Sequence, residues 1–102
     1  MERNVPCRQA STLSLDARRR RMLFRSWHRG IREMDLVLGR FADAEIAGLG
    51  SRELDDYERL LDAEDRDVFG WLTFAAETPR LYDTPVLRKI RAFHRHAGPI
   101  HT

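Results

Sequence analysis

Of the 102 residues only Cys7 is a cysteine, only Lys89 is a lysine, and only Asn4 and Gln9 carry amide side chains. A lone thiol closes no internal disulfide, so a stapled secreted fold is excluded and a reducing compartment fits. Two amides, both near the N-terminus, leave little with which to read base edges in a DNA groove. No run of 18 apolar residues occurs, which excludes a membrane-spanning helix and membrane insertion. The stretch "GLGS" at 48–51 lacks the third glycine and the preceding strand of a dinucleotide-binding turn, and reads as a helix stop. His94 and His96 stand two apart, about 200° apart around a helix, with no cysteine or acid at ligand spacing. They read as solvated helix-end histidines, and no metal site is expected. No serine or threonine has an obvious base partner, and no catalytic residue is assigned.

What is abundant is charge, and it is unevenly placed. Residues 1–40 carry ten Lys or Arg against four acids, residues 41–84 four against twelve, and residues 85–102 four against none. The net charge of +2 hides a basic start, an acidic middle and a basic tail. Such asymmetry raises nucleic acid or an acidic protein as partner, although the acidic middle argues against a uniformly DNA-facing surface. The run Arg18-Arg19-Arg20-Arg21 spreads around a helix, so at most two of the four share a face. A solvated, partly snorkelling cationic face is the expectation, with a basic nucleic-acid-binding regulator as the competing one.

Apolar residues recur at three and four, never in sustained alternation, and the chain length suits one domain. The fold expected is all-α, a single small bundle of about five short helices over residues 14–97. Residues 1–13 form a frayed or disordered N-terminal segment, preferred over a mitochondrial transit peptide because it is short and opens with Glu2. Residues 98–102 form a short tail. The first helix runs from about Leu15 to His28, capped by Ser14 or Asp16, with Leu15, Met22, Leu23 and Trp27 along one side. Gly30 interrupts. A second helix runs from Ile31 or Arg32 to about Ala47, with Met34, Val37, Leu38 and Phe41 on its stripe. Ser51 caps a third, carrying Leu54, Tyr57, Leu60 and Leu61. Asp65 caps a short fourth with Val68, Phe69, Trp71 and Leu72. Thr84 and Pro85 open a fifth with Val86, Ile90 and Phe93, which closes at Gly98 and Pro99. Phe69, Trp71 and Phe74 are assigned to the core.

The sharpest polar feature is "RSWHRGIREMD", residues 25–35. A helical Arg29–Glu33 pair would be in the less favourable order, and a glycine between them costs about 1 kcal/mol relative to alanine inside a helix. Local helix stability therefore accounts poorly for the arrangement. A glycine that admits a partner's backbone, with a guanidinium and a carboxylate to bind its polar groups, accounts for it better. Substitution of Gly30 or Glu33 should then spare helicity and melting. Trp27 and His28 beside the pattern add the aromatic character of an interface hot spot. Arg-Gly-x-x-Glu alone is short enough to arise by chance in so arginine-rich a chain, so its context decides.

That context is "RSWHRGIREMD", then "LGRFADAEI", then "ELDDYERLLDAEDRDVFGWL". In order and spacing the chain from about residue 15 to 95 resembles the SdhE family, the succinate dehydrogenase assembly factor 2 or flavinylation factors of bacteria and mitochondria. Two departures, Arg66 where that family often has proline and "WLTFAAETP" without the glycine that frequently follows Trp-Leu, fall at the ends of the fourth helix. The resemblance implies a helical, non-enzymatic assembly factor that binds the flavoprotein subunit of succinate dehydrogenase, and in some bacteria serves fumarate reductase. It would promote covalent attachment of FAD to a client histidine while holding no cofactor stably itself. Partner binding falls by the same resemblance to Arg29, Gly30 and Glu33, with Arg32, Asp35, Trp27 and His28 adjacent. It further implies a monomer when free, without nucleic acid, in the bacterial cytoplasm or the mitochondrial matrix. An antitoxin-like interaction module is the remaining alternative.

Overall fold

The computed structural model describes residues 15–97. Ser14 as a cap, Cys7, the 1–13 segment and the tail with Gly98 and Pro99 lie outside the described residues, as does the side chain of His96. Among the described residues five α-helices and two 3-10 turns follow one another: α1 (Ala17–Trp27), α2 (Arg32–Glu45), a turn at Ile46–Gly48, α3 (Ser51–Asp62), α4 (Asp65–Leu72), a turn at Arg80–Tyr82, and α5 (Pro85–Ala97). No strand occurs among the described residues.

α1, α3 and α5 start where a side chain satisfies a free N–H group at the helix N-terminus. Asp16 accepts the Arg19 N–H at 2.8 Å, and this backbone bond holds its carboxyl below the usual carboxylate range. Glu53 reaches back to the Gly50 N–H at 3.1 Å, so Gly50 rather than Ser51 occupies the cap of α3. The Lys89 ammonium, 2.8 Å from Glu53, is the first cause of a lowered Glu53 carboxyl, with the Gly50 bond second, and it ties α5 to α3. At α4 the cap is Glu64, one residue earlier than expected, which frees the Asp65 side chain for another partner. Thr84 Oγ1 accepts the Leu87 N–H at 3.3 Å ahead of Pro85, as the sequence indicates.

Each stripe meets the others in one core. Met22 of α1 packs with Met34, Val37, Leu38 and Phe41 of α2, the Leu54, Tyr57, Leu60 and Leu61 face of α3, Val68 and Trp71 of α4, and Val86, Leu87 and Ile90 of α5. Phe41 sits at the middle, its ring 5.6 Å from Tyr57 and 6.0 Å from Phe93. The buried Tyr57 hydroxyl lies 2.6 Å from Ser26 Oγ and 3.3 Å from the Leu38 carbonyl, while Ser26 donates to the Met22 carbonyl. Burial pushes the phenol up, so the hydroxyl stays a neutral hydrogen-bonding link among α1, α2 and α3. Gly39 lets α1 and α2 close: a Cβ there would overlap the Trp27 indole.

Two aromatic rings assigned to the core are instead exposed. Phe69 is 36% exposed because the eight-residue α4 buries only the Val68 and Trp71 side, and Phe69 lies about 100° around from Val68 and about 160° from Trp71. Phe74 is 71% exposed: its backbone turns left-handed at φ 65° just past α4, and the ring stands outside with the Arg91 guanidinium 4.2 Å above it. The place against Trp71 is taken by Tyr82, stacked at 4.6 Å. His94 also departs from expectation: half-buried, it donates from Nε2 to the Val37 carbonyl at 2.7 Å. Desolvation lowers its pKa, with Arg40 adding to the effect against the bond to Val37.

Candidate functional site

The basic residues of α1 meet the acidic residues of α3. Arg18 reaches Asp55 at 2.7 Å and Glu58 at 2.8 Å, and Arg25 reaches Asp62 at 2.7 Å. Arg19 is spent on the carbonyls of Ile46 and Leu49 and on Asp16, and Arg20 bonds to the Leu15 carbonyl. Three of the four consecutive arginines thus have partners within the chain, which is more than a snorkelling face; Arg21 is exposed.

The seam ends at the turn between α1 and α2. Gly30 is not inside a helix: it stands between the two at φ +97°, and nothing lies within 4 Å of where a Cβ would be. The glycine is required by backbone conformation rather than by crowding, because an L side chain is disfavoured at that φ. The expectation that Gly30 can be substituted without effect on folding is therefore corrected. Arg29, on its N-terminal side, points inward. Its Nε and Nη2 both reach Asp65 Oδ1 at 2.8 Å, its Nη1 donates to the Leu61 carbonyl at 2.8 Å, and Nη2 donates to the Ala63 carbonyl at 3.2 Å. The two side chains are only 9% and 12% exposed. The Arg29 N–H meanwhile donates to Asp35 Oδ1 at 2.6 Å, a bond that spans the Gly30 turn. Local and tertiary stability thus explain Arg29 well, through partners some 30 residues away rather than through Glu33.

On the outer side of this turn, Gly30, Ile31, Arg32 and Glu33 are exposed, Ile31 by 46%. Arg32 and Glu33 form no ion pair among the described residues. An open cleft of about 450 Å³ runs beside them, walled by Arg29, Gly30 and Ile31 on one side and by Ala63, Glu64, Asp65 and Arg66 of the α3–α4 corner on the other. His28 is exposed at the end of α1, stacked on the exposed Phe24 at 3.8 Å and donating from Nδ1 to the Phe24 carbonyl. Trp27 is half-buried against Gly39.

The seven residues singled out in the sequence therefore divide. Gly30, Arg32, Glu33 and His28 face outward around one turn; Arg29 and Asp35 bind the protein itself; Trp27 packs between α1 and α2. Ile31, Glu64, Asp65 and Arg66 were not anticipated at the site. A signal for Asp65 exists: arginines at 18, 25 and 29 are matched by acids at 55, 58, 62 and 65, two complementary helical periodicities.

Residues 20–94 match a family described as the flavinator of succinate dehydrogenase. The chain is 38% identical over 77 residues to an FAD assembly factor SdhE of Acetobacter pasteurianus, covering 76% of this chain and 71% of that one. It is 45% identical over 60 residues to a mitochondrial succinate dehydrogenase assembly factor 2 of Debaryomyces hansenii, covering 59% of this chain and 42% of that protein. With the protein of the same description from Dictyostelium discoideum it shares 40% over 73 residues, covering 72% and 52%. The chain spans about half the length of these mitochondrial relatives.

Proposed function

The chain belongs to the family of flavinators of succinate dehydrogenase, and from that premise we propose that it is an assembly factor that docks on the flavoprotein subunit of succinate dehydrogenase and promotes covalent attachment of FAD there. The observation that carries the reading is the exposed run Gly30 to Glu33 at the edge of the cleft. A cation and a carboxylate in the first turn of α2, neither in an ion pair among the described residues, follow directly on an exposed isoleucine at a turn whose base is tied down. The bond from the Arg29 N–H to Asp35 fixes the backbone that leads into them, so less chain ordering is lost on binding, and charged groups recognise complementary ones with directional selectivity. Ile31, 46% exposed, supplies apolar area beside them.

In this reading the bond-forming groups belong to the client and this chain holds no FAD stably; its part is to bind the client in a conformation in which flavin and acceptor histidine meet. The flavoprotein of fumarate reductase is a second client of the same chemistry. A monomeric free state fits, since the buried apolar residues of all five described helices pack into one cluster within the chain. Site of action follows the client: bacterial cytoplasm or mitochondrial matrix.

The test mixes the protein with apo flavoprotein subunit and FAD and follows covalent flavin by fluorescence after denaturing electrophoresis. Wild-type protein should accelerate labelling. Glu33→Ala should abolish the acceleration while shifting stability by less than about 0.5 kcal/mol, as expected for an exposed residue outside any described ion pair. Labelling at the uncatalysed rate with wild-type protein and a competent client would overturn the proposal.

A further inference from the structure

Arg29 and Asp65 stand apart from the rest of the charged seam. Arg18 with its acids and Arg25 with Asp62 are solvent-facing, whereas the Arg29–Asp65 pair is nearly closed off and is joined by two carbonyls of the α3–α4 corner. Arg29 also carries the Gly30 turn on its C-terminal side, and its N–H is bonded to Asp35. One side chain thus connects the two walls of the cleft: the turn of Gly30 and Ile31, which leads directly into Arg32 and Glu33, and the corner that displays Glu64 and Arg66. Bonds to the Leu61 and Ala63 carbonyls aim at backbone, so they fix the corner itself and not merely a neighbouring side chain.

We infer that Asp65 is a positioning residue of the docking site, acting through Arg29 to hold the α3–α4 corner and the Gly30 turn in one register; the inference rests on the docking role proposed above. The cation of the Arg-Gly-x-x-Glu pattern is then an internal brace rather than a hand offered to the client. The client-facing surface spans both walls. Removing the Asp65 charge leaves the exposed residues chemically unchanged and disturbs their relative placement, and a shift near 1 Å is enough to cost a preorganised site much of its effect.

The experiment measures the dissociation constant for the apo flavoprotein subunit, together with the covalent labelling rate, at a temperature well below the melting point of every variant. Asp65→Asn is set against Asp62→Asn, which breaks the solvent-facing Arg25 pair one turn away. The inference expects Asp65→Asn to weaken binding at least tenfold while circular dichroism shows it folded, and Asp62→Asn to stay within twofold. A role confined to stability would lower the melting temperature of Asp65→Asn and leave its affinity unchanged, and that result overturns the inference. Should Asp65→Asn fail to fold, Asp65→Glu decides: it keeps the charge and displaces the carboxylate by one methylene. A folded Asp65→Glu with wild-type affinity overturns the inference, and a loss of fivefold or more sustains it. Failure of wild-type protein to bind or to accelerate labelling brings down the docking role and the inference together. Wild-type activity lost in Glu33→Ala but kept in Asp65→Asn removes the inference alone.

Discussion

Gly30 at φ +97° has no near neighbour to crowd it, so the cost of a side chain there is conformational. Gly30→Ala should lower stability by about 1–2 kcal/mol in urea denaturation, and Gly30→Asn by less, since asparagine tolerates positive φ better. Equal stability of wild type and Gly30→Ala would mean the turn relaxes to a negative φ. His94 makes a second residue-scale argument. Its folded pKa is depressed by burial, so protonation favours the unfolded chain. The stability it contributes is complete above its ordinary value of 6.5 and is lost as pH falls through the lowered folded value. Melting temperature should therefore fall on acidification below that point, and His94→Gln should flatten the slope; parallel slopes would contradict the assignment. Neither feature has a signature in residue type, because a glycine shows no φ and a histidine no burial until the neighbours are placed.

At the scale of elements, α1 and α3 are joined by charge along their outer edge and by Met22, Ser26 and Tyr57 beneath it. Exposed ion pairs contribute little, whereas removing one partner of a buried pair strands a charge. Arg25→Met should accordingly cost about 0–1 kcal/mol and Arg29→Met about 3–5 kcal/mol by guanidinium denaturation. Equal costs would show that the Arg29 pair is no more desolvated than its neighbour. The helices themselves were legible because their apolar periods are clean: all four stripe residues of α3 and all four of α2 named from the sequence are buried. The α4–α5 connection was not. Phe74 follows a short helix, and whether its ring turns in or out depends on a backbone reversal and on Tyr82, eight residues later, occupying the place against Trp71.

For the molecule as a whole, Arg18, Arg25 and Arg29 of the basic start are answered by Asp55, Glu58, Asp62 and Asp65 of the acidic middle, which takes up part of the charge asymmetry that raised nucleic acid as a partner. Binding to duplex DNA near 150 mM salt should be no tighter than the ~10⁻⁴–10⁻⁶ M of non-specific association. A steep salt dependence with tighter binding, lost on substitution of Arg20 and Arg21, would restore that reading. The family was readable for the opposite reason: order and spacing of motifs survive in one dimension, and the match over residues 20–94 depends on nothing else.

Helix number, most of the core and the location of the exposed turn were determined by the sequence itself, because apolar periodicity, caps and a glycine break act over three or four residues. Which members of the motif face outward was decided only by tertiary structure. Arg29 and Arg32 are the same residue type three positions apart, yet one is neutralised by Asp65 and the other faces solvent. The difference arises because the α3–α4 corner sets Asp65, the first residue of α4, at the end of the seam, a meeting between residues 36 apart that no local pattern encodes.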